Sequence, residues 1–179
     1  MKMFDKKMFF RALGELDRLL PAPLALLVGG AAALIAAYEE TEVTKDVDAV
    51  PLKSKLTFEE LKPFLLIVAE KLDLPKDWMN PYFESYTHLL PADYESRTRE
   101  IFSGKNLRCL ALGPEDLLIM KLMAGRQKDE RHIRRLLRSK DVRLTLVENR
   151  LEELSDQCMK GASEALGRFD EVKSDLEIT

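Results

Sequence analysis

Asp46 and Asp48 are the side chains best placed to do chemistry, one position apart on a segment, Val47 to Val50, that reads as a β-strand. Side chains alternate across a strand, so both carboxylates fall on one face, roughly 6.5–7 Å apart along the chain. Two acids so placed cannot be buried without a compensating charge. A hard cation such as Mg²⁺ resolves the conflict, because it takes carboxylate oxygens and keeps positions for phosphate oxygens. Upstream, Gly29 and Gly30 follow the apolar run Leu24 to Val28 and precede the small-residue segment Ala31 to Tyr38. Lacking side chains, they let a helix N-terminus approach a phosphate and offer its N–H groups. Each signal has a plainer reading: a solvated edge strand for the acids, a tight turn for the glycines. Their order and separation make the combination more specific than either.

The elements that must position these residues follow from periodicity and breakers. Phe9, Phe10, Leu13, Leu16, Leu19 and Leu20 recur at helical spacing, which predicts a helix over Phe4 to Leu20 stopped by Pro21. Leu24 to Val28 predicts a buried strand, Gly29–Gly30 a turn, and Ala31 to Tyr38 a small-residue helix. Thr57 with Glu60 three residues on forms a capping box, opening a helix whose stripe is Leu61, Phe64, Leu65, Val68 and Leu72. Residues 73 to 91, with WMNPYF at their centre, read as an ordered irregular segment, and Glu95 to Phe102 as a short helix or a strand. Leu107 to Leu112 reads as a strand. Gly113–Pro114 then opens a helix through Ala124, with acids in its first turn where the dipole favours them, and Gly125 ends it. Asp129 to Arg138 and Leu144 to Phe169 read as charge-rich helices, with a frayed tail from Asp170. The fold class expected is α+β: a small mixed β-sheet flanked by helices, with a helical C-terminal part. Its divisions are an N-terminal helix (1–23), a central domain (24–140) and a C-terminal helical extension (141–179).

A chain of 179 residues, 46% apolar and 33% charged, can bury one real core. A net charge of −3 provides no global field toward nucleic acid or an anionic membrane. Cys109 and Cys158 read as reduced, buried thiols of a cytoplasmic protein. Leu19 to Tyr38 carries no charge and has the length of a membrane span, but Pro21, Pro23 and Gly29–Gly30 interrupt it. The chain therefore reads as soluble, with no membrane partner and no targeting segment.

LVGGAAALIAAY followed by TKDVDAV resembles the signature of the nucleotidyltransferase superfamily, the polymerase-β-like minimal fold: strand, Gly-Gly turn opening a helix, then Asp-x-Asp on the next strand. Thr44, two residues before the first aspartate, is similar to the bacterial branch. LGPEDLLIMKLMAGRQKDERHIRRLL, from Leu112 to Leu137, resembles the later motifs of nucleotidyltransferase-like proteins related to abortive-infection toxins, with Lys121, Arg126, Lys128 and Asp129 at the matching positions. The resemblance covers roughly residues 24 to 138. It implies a sheet of nucleotidyltransferase type and a two-metal nucleotidyl transfer from an NTP, with Mg²⁺ held by Asp46 and Asp48. Gly29, Gly30 and the start of the next helix would cradle the phosphates, Thr44 would be a further nucleotide-binding residue, and Lys121 would bring a compact positive charge to the phosphates. Asp129, Lys128 and Arg126 would orient the nucleotide or the acceptor. RNA (tRNA) or a protein would be the acceptor, and an antitoxin a partner.

Several positions depart from that pattern. Ala31 and Ala32 stand where a hydroxyl is frequent, Glu42 where arginine is frequent, and His132 where a later aspartate is frequent. LRCLAL contains no third carboxylate, which leaves Glu84, Asp93 and Glu95 by default. These departures define the rival reading, a catalytically degenerate domain that binds a nucleotide or a protein partner. His132 reads as a surface helix residue or a ligand. Trp78, Tyr82, Phe83 and Tyr86 read as packing anchors or a base-stacking pocket. Arg131, Arg134, Arg135, Arg138 and Lys140 read as a solvated helix face or an RNA contact.

Overall fold

A computed structural model describes residues 5–38, 43–53 and 56–178 and divides the chain into two compact units. The first comprises residues 1–87 and 95–112, and the second residues 88–94 and 113–179.

The first unit carries one mixed five-stranded sheet, β3-β2-β1-β5-β4, formed by β1 (Leu24–Val28), β2 (Val47–Pro51), β3 (Met79–Asn80), β4 (Arg99–Ser103) and β5 (Leu107–Ala111). β1 lies parallel to β5 and antiparallel to β2; β2 lies parallel to β3, and β4 antiparallel to β5. Leu26, Leu27, Val28, Cys109 and Ala111 are fully or almost fully buried, as a central apolar run of this kind requires. Helices α1 (Lys6–Leu19), α2 (Gly30–Ala37) and α3 (Phe58–Leu72) complete the unit. The expected capping box starts α3, with Thr57 and Glu60 each bonding the other's backbone N–H. Helix α1 is tied to the β4–β5 turn by one carboxylate. Asp17 accepts backbone N–H bonds from Lys105, Asn106 and Leu107 at 3.1, 2.7 and 2.7 Å. Burial pushes the Asp17 carboxyl up, but these three donors outweigh it and hold it below the usual range.

The second unit is helical: α4 (Pro114–Ala124), α5 (Glu130–Arg138), α6 (Leu144–Asp156) and α7 (Ala162–Asp175), with a 3₁₀ turn at Gln127–Asp129 before α5. Every residue of α4 from Pro114 to Leu122 is buried, including Glu115, Asp116 and Lys121. Glu115 meets Arg143 Nε at 2.9 Å, and Gly125 ends the helix in the left-handed region at φ 61°. Arg150 donates to the Leu89 carbonyl at 2.9 and 3.2 Å, which holds the 88–94 segment to this unit.

Three expectations need correction, and one open alternative is resolved. Leu144 to Phe169 is two helices, broken by Cys158 at φ 54° and Gly161 at φ 84°. The segment from Asp170 is helical to Asp175, because Phe169 and Val172 are buried and anchor it. Cys158 sits in the break and is exposed, whereas Cys109 is buried as expected. Glu95 to Phe102 is both of its alternatives in turn, a 3₁₀ helix (Tyr94–Arg97) followed by β4. Among the described residues no helix is long and apolar enough to cross a membrane.

Candidate functional site

The two halves of the Gly-Gly and Asp-x-Asp pattern come together at the ends of β1 and β2. Val28 pairs with Ala49, and one residue further Gly29 N–H donates to the Asp48 carbonyl at 2.9 Å. Gly30 follows at φ 59°, a left-handed conformation that glycine adopts without strain. A Cβ built on Gly30 would overlap the Asp48 Oδ2 oxygen, so the turn backbone lies directly against the carboxylate. A Cβ at Gly29 would stand 3.1–3.3 Å from the Phe83 ring. Both glycines are thus set by close approach. Helix α2 begins at this point, and its N-cap, Gly29, supplies no side-chain hydrogen bond. Ala32 is 2% exposed and packed in the core, where a serine would have to bury its hydroxyl.

Asp46 immediately precedes β2 and Asp48 lies within it, both half-buried. Thr44, itself buried, donates to the Asp46 carbonyl at 3.1 Å and shapes the entry to the strand. Asn80 was not foreseen as a site residue. It is Asp48's partner in the β2–β3 pair and donates through Nδ2 to Asp46 Oδ2 at 3.2 Å. The only hint of it in the sequence is the WMNPYF segment, which attracts attention through its aromatics. Trp78 and Phe83 are buried anchors, with Trp78 Nε1 donating to the Leu65 carbonyl at 3.0 Å, whereas Tyr82 is 71% exposed.

Of the carboxylates considered as a third metal ligand, Glu95 is ion-paired with Lys53 at 2.7 Å, Glu84 is exposed, and Asp93 belongs to the other unit. Among the described residues no group of three or more His, Cys, Asp or Glu side chains is placed to hold a metal. What Asp46 and Asp48 offer is hard carboxylate oxygen beside a backbone cradle that a Cβ would fill. That donor set fits Mg²⁺. Glu42 lies outside the described residues.

The later motif forms its own cluster in the second unit. Lys121 Nζ lies 2.6 Å from Asp129 Oδ1, and both side chains are buried. His132 is half-buried, with Nδ1 3.2 Å from the same ammonium and 3.8 Å from the same Asp129 oxygen. Burial pushes the Asp129 carboxyl up. Contacts with His132 and Lys121, and the charges of Lys121 and Arg126, outweigh it and hold the group well below the usual carboxylate range. The surface reading of His132 is therefore replaced by a place beside this pair. Arg126 is exposed, and its carbonyl accepts the Asp129 N–H at 2.9 Å. Lys128 is exposed and lines an open groove of about 610 Å³ along α5, together with Arg131, Arg134, Arg135 and Arg138.

Strand, glycine turn, helix and Asp-x-Asp, with the turn backbone against the second aspartate, define a protein of nucleotidyltransferase type. The chain belongs to the family described as "Nucleotidyltransferase of unknown function (DUF6036)", whose model matches residues 7–173. No curated protein and no solved structure matches it.

Proposed function

We propose that the protein is a Mg²⁺-dependent nucleotidyltransferase that moves a nucleoside monophosphate from an NTP to a hydroxyl on RNA or protein. The observation that carries this reading is the contact between the Gly30 backbone and the Asp48 carboxylate. It supports reading the glycine turn and the acidic pair as one small site, in which the turn would cradle phosphate. Asp46 and Asp48 would hold the cation, and the first turn of α2 would receive the phosphates. When bound, Mg²⁺ neutralises phosphate charge and polarises the P–O bonds. The acceptor oxygen forms the new bond to the α-phosphorus, the α–β bridge breaks, pyrophosphate leaves, and the hydroxyl proton passes to solvent. Lys121 and Asp129 would act as a fixed charge pair, with Arg126 and Lys128 as the exposed cations beside it, orienting nucleotide or acceptor. The groove of Lys128, Arg131, Arg135 and Arg138 supports RNA, tRNA included, as the acceptor. A toxin role in a toxin–antitoxin or phage-defence pair, with an antitoxin as partner, follows from the resemblance in the Arg126–Asp129 motif.

Incubation with each radioactive NTP, Mg²⁺ and total RNA or protein tests this reading. The wild type transfers label, and D46N/D48N loses it by about a thousandfold or more, since metal stabilisation is worth several kcal/mol. Equal labelling by both proteins removes the metal assignment. The second reading is a degenerate domain that binds a nucleotide or partner without turnover, and the absence of a three-carboxylate group among the described residues favours it. Tight NTP binding with no transfer to any acceptor would support that domain instead.

A further inference from the structure

We infer that Asn80 sets the metal capacity of the Asp46–Asp48 site: it holds Asp46 in place and limits the protein to one tightly bound divalent cation. The inference rests on the proposed cation site and concerns what surrounds it. Strand β3 pairs in parallel with β2, Val47 opposite Met79 and Asp48 opposite Asn80. Paired residues of adjacent strands share a face, and so do residues two apart on one strand. Asp46, Asp48 and Asn80 therefore converge on one side of the sheet. Asn80 thus stands beside both acids, paired with Asp48 and bonded to Asp46.

Its amide is fixed at both ends. Asn80 is 5% exposed, and its Oδ1 accepts the Tyr82 backbone N–H at 3.0 Å. Its Nδ2 then faces Asp46 Oδ2 at 3.2 Å, the only sense in which a carboxylate that accepts and a backbone N–H that donates are both satisfied. The group that Asn80 presents to the acids is thus an NH₂ donor, which cannot ligate a cation. Its side-chain oxygen is turned to the Tyr82 backbone N–H. Two carboxylates carry the charge of one divalent ion. Two such ions about 3.5–4 Å apart repel strongly unless further anionic oxygens bridge them. By binding Oδ2, the amide also orients the Asp46 carboxyl and leaves Oδ1 as its metal-binding oxygen. Asn80 is a positioning residue in this scheme, one that supports a ligand without being one.

Mn²⁺ binding followed by electron paramagnetic resonance, on the full chain and without nucleotide, tests the assignment. Wild type takes up one Mn²⁺ per chain. N80A keeps that stoichiometry but binds about 10–100-fold more weakly, as when a ligand loses its orienting partner. N80D, of the same size, takes up a second Mn²⁺, and Mn²⁺ raises its melting temperature more than that of the wild type. Emission from Trp78, the only tryptophan and two residues from Asn80, reports that each variant is folded. Two ions in the wild type, or N80A and N80D both behaving as wild type, would overturn the role of Asn80 while leaving the cation site intact. Absence of Mn²⁺ binding in the wild type, or undiminished binding in D46N/D48N, would instead overturn the cation site.

Discussion

The acidic pair of the first unit and the ion pair of the second meet the same problem, charge out of bulk water, in opposite ways. Asp129 faces the Lys121 ammonium at 2.6 Å, so its charge is cancelled within the protein. Asp46 faces a neutral amide at 3.2 Å, and Asp48 lies against a glycine backbone. One arrangement is complete as folded and so contributes to stability. The other sets two half-buried carboxylates beside an amide and a glycine turn, where the proposed cation would sit. Motif positions of similar standing in the sequence therefore do different physical work.

The largest stability effect should come from breaking the complete pair. D129A leaves Lys121 buried without its carboxylate and should cost about 3 kcal/mol or more in urea unfolding. D46N should cost far less in the absence of metal; an equal loss for both would erase the distinction. The pH dependence follows the same line. Asp129's folded value lies below its unfolded value of about 3.9. Its stability contribution is therefore whole above that pH and is lost as pH falls toward the folded value. The gap between wild type and D129A should be widest near neutrality and shrink below about pH 4.

A smaller effect should separate two glycines. Gly30 and Gly125 have φ values of 59° and 61°, so alanine at either costs roughly 1–3 kcal/mol of backbone strain. At Gly125 the new Cβ meets only the flexible end of Arg168; at Gly30 it meets Asp48. G30A should therefore also lose Mn²⁺ binding and nucleotide transfer, while G125A keeps Mn²⁺ binding. Loss of Mn²⁺ binding in both would show that the loss in G30A does not report the contact with Asp48. The mildest probe is thiol labelling. Cys158 should react with a disulfide reagent in the native protein, and Cys109 only on unfolding, because it is buried and burial pushes its thiol far up.

Much of the first site was legible because its parts are local. A five-residue apolar run, two glycines and a small-residue helix announce themselves, and alternation puts Asp46 and Asp48 on one face. Asn80 was not legible, since β3 is two residues long and too short for any period, and prolines at 75 and 81 flank it. The helix break at Cys158 hid for a related reason: a non-glycine residue takes the left-handed turn, inside a stretch whose charge pairs suit a helix throughout. Asp17 resembled any charged residue of an amphipathic helix, because its three partners lie 88–90 residues away. Lys121 and Asp129 could be matched by motif, but spacing carries no measure of burial.

Asp17 also sets a schedule. Its three donors, and Leu107 opposite Leu24 in the parallel β1–β5 pair, join the beginning of the first unit to nearly its last residues. During translation at ~5–20 residues per second, α1 and β1 would wait roughly 5–20 s for their partners to be made. Until then, α1 and β1 lack their native partners in the β4–β5 turn and β5. The first unit can close only after its final strand leaves the ribosome, which makes this protein one whose earliest residues are among the last to settle.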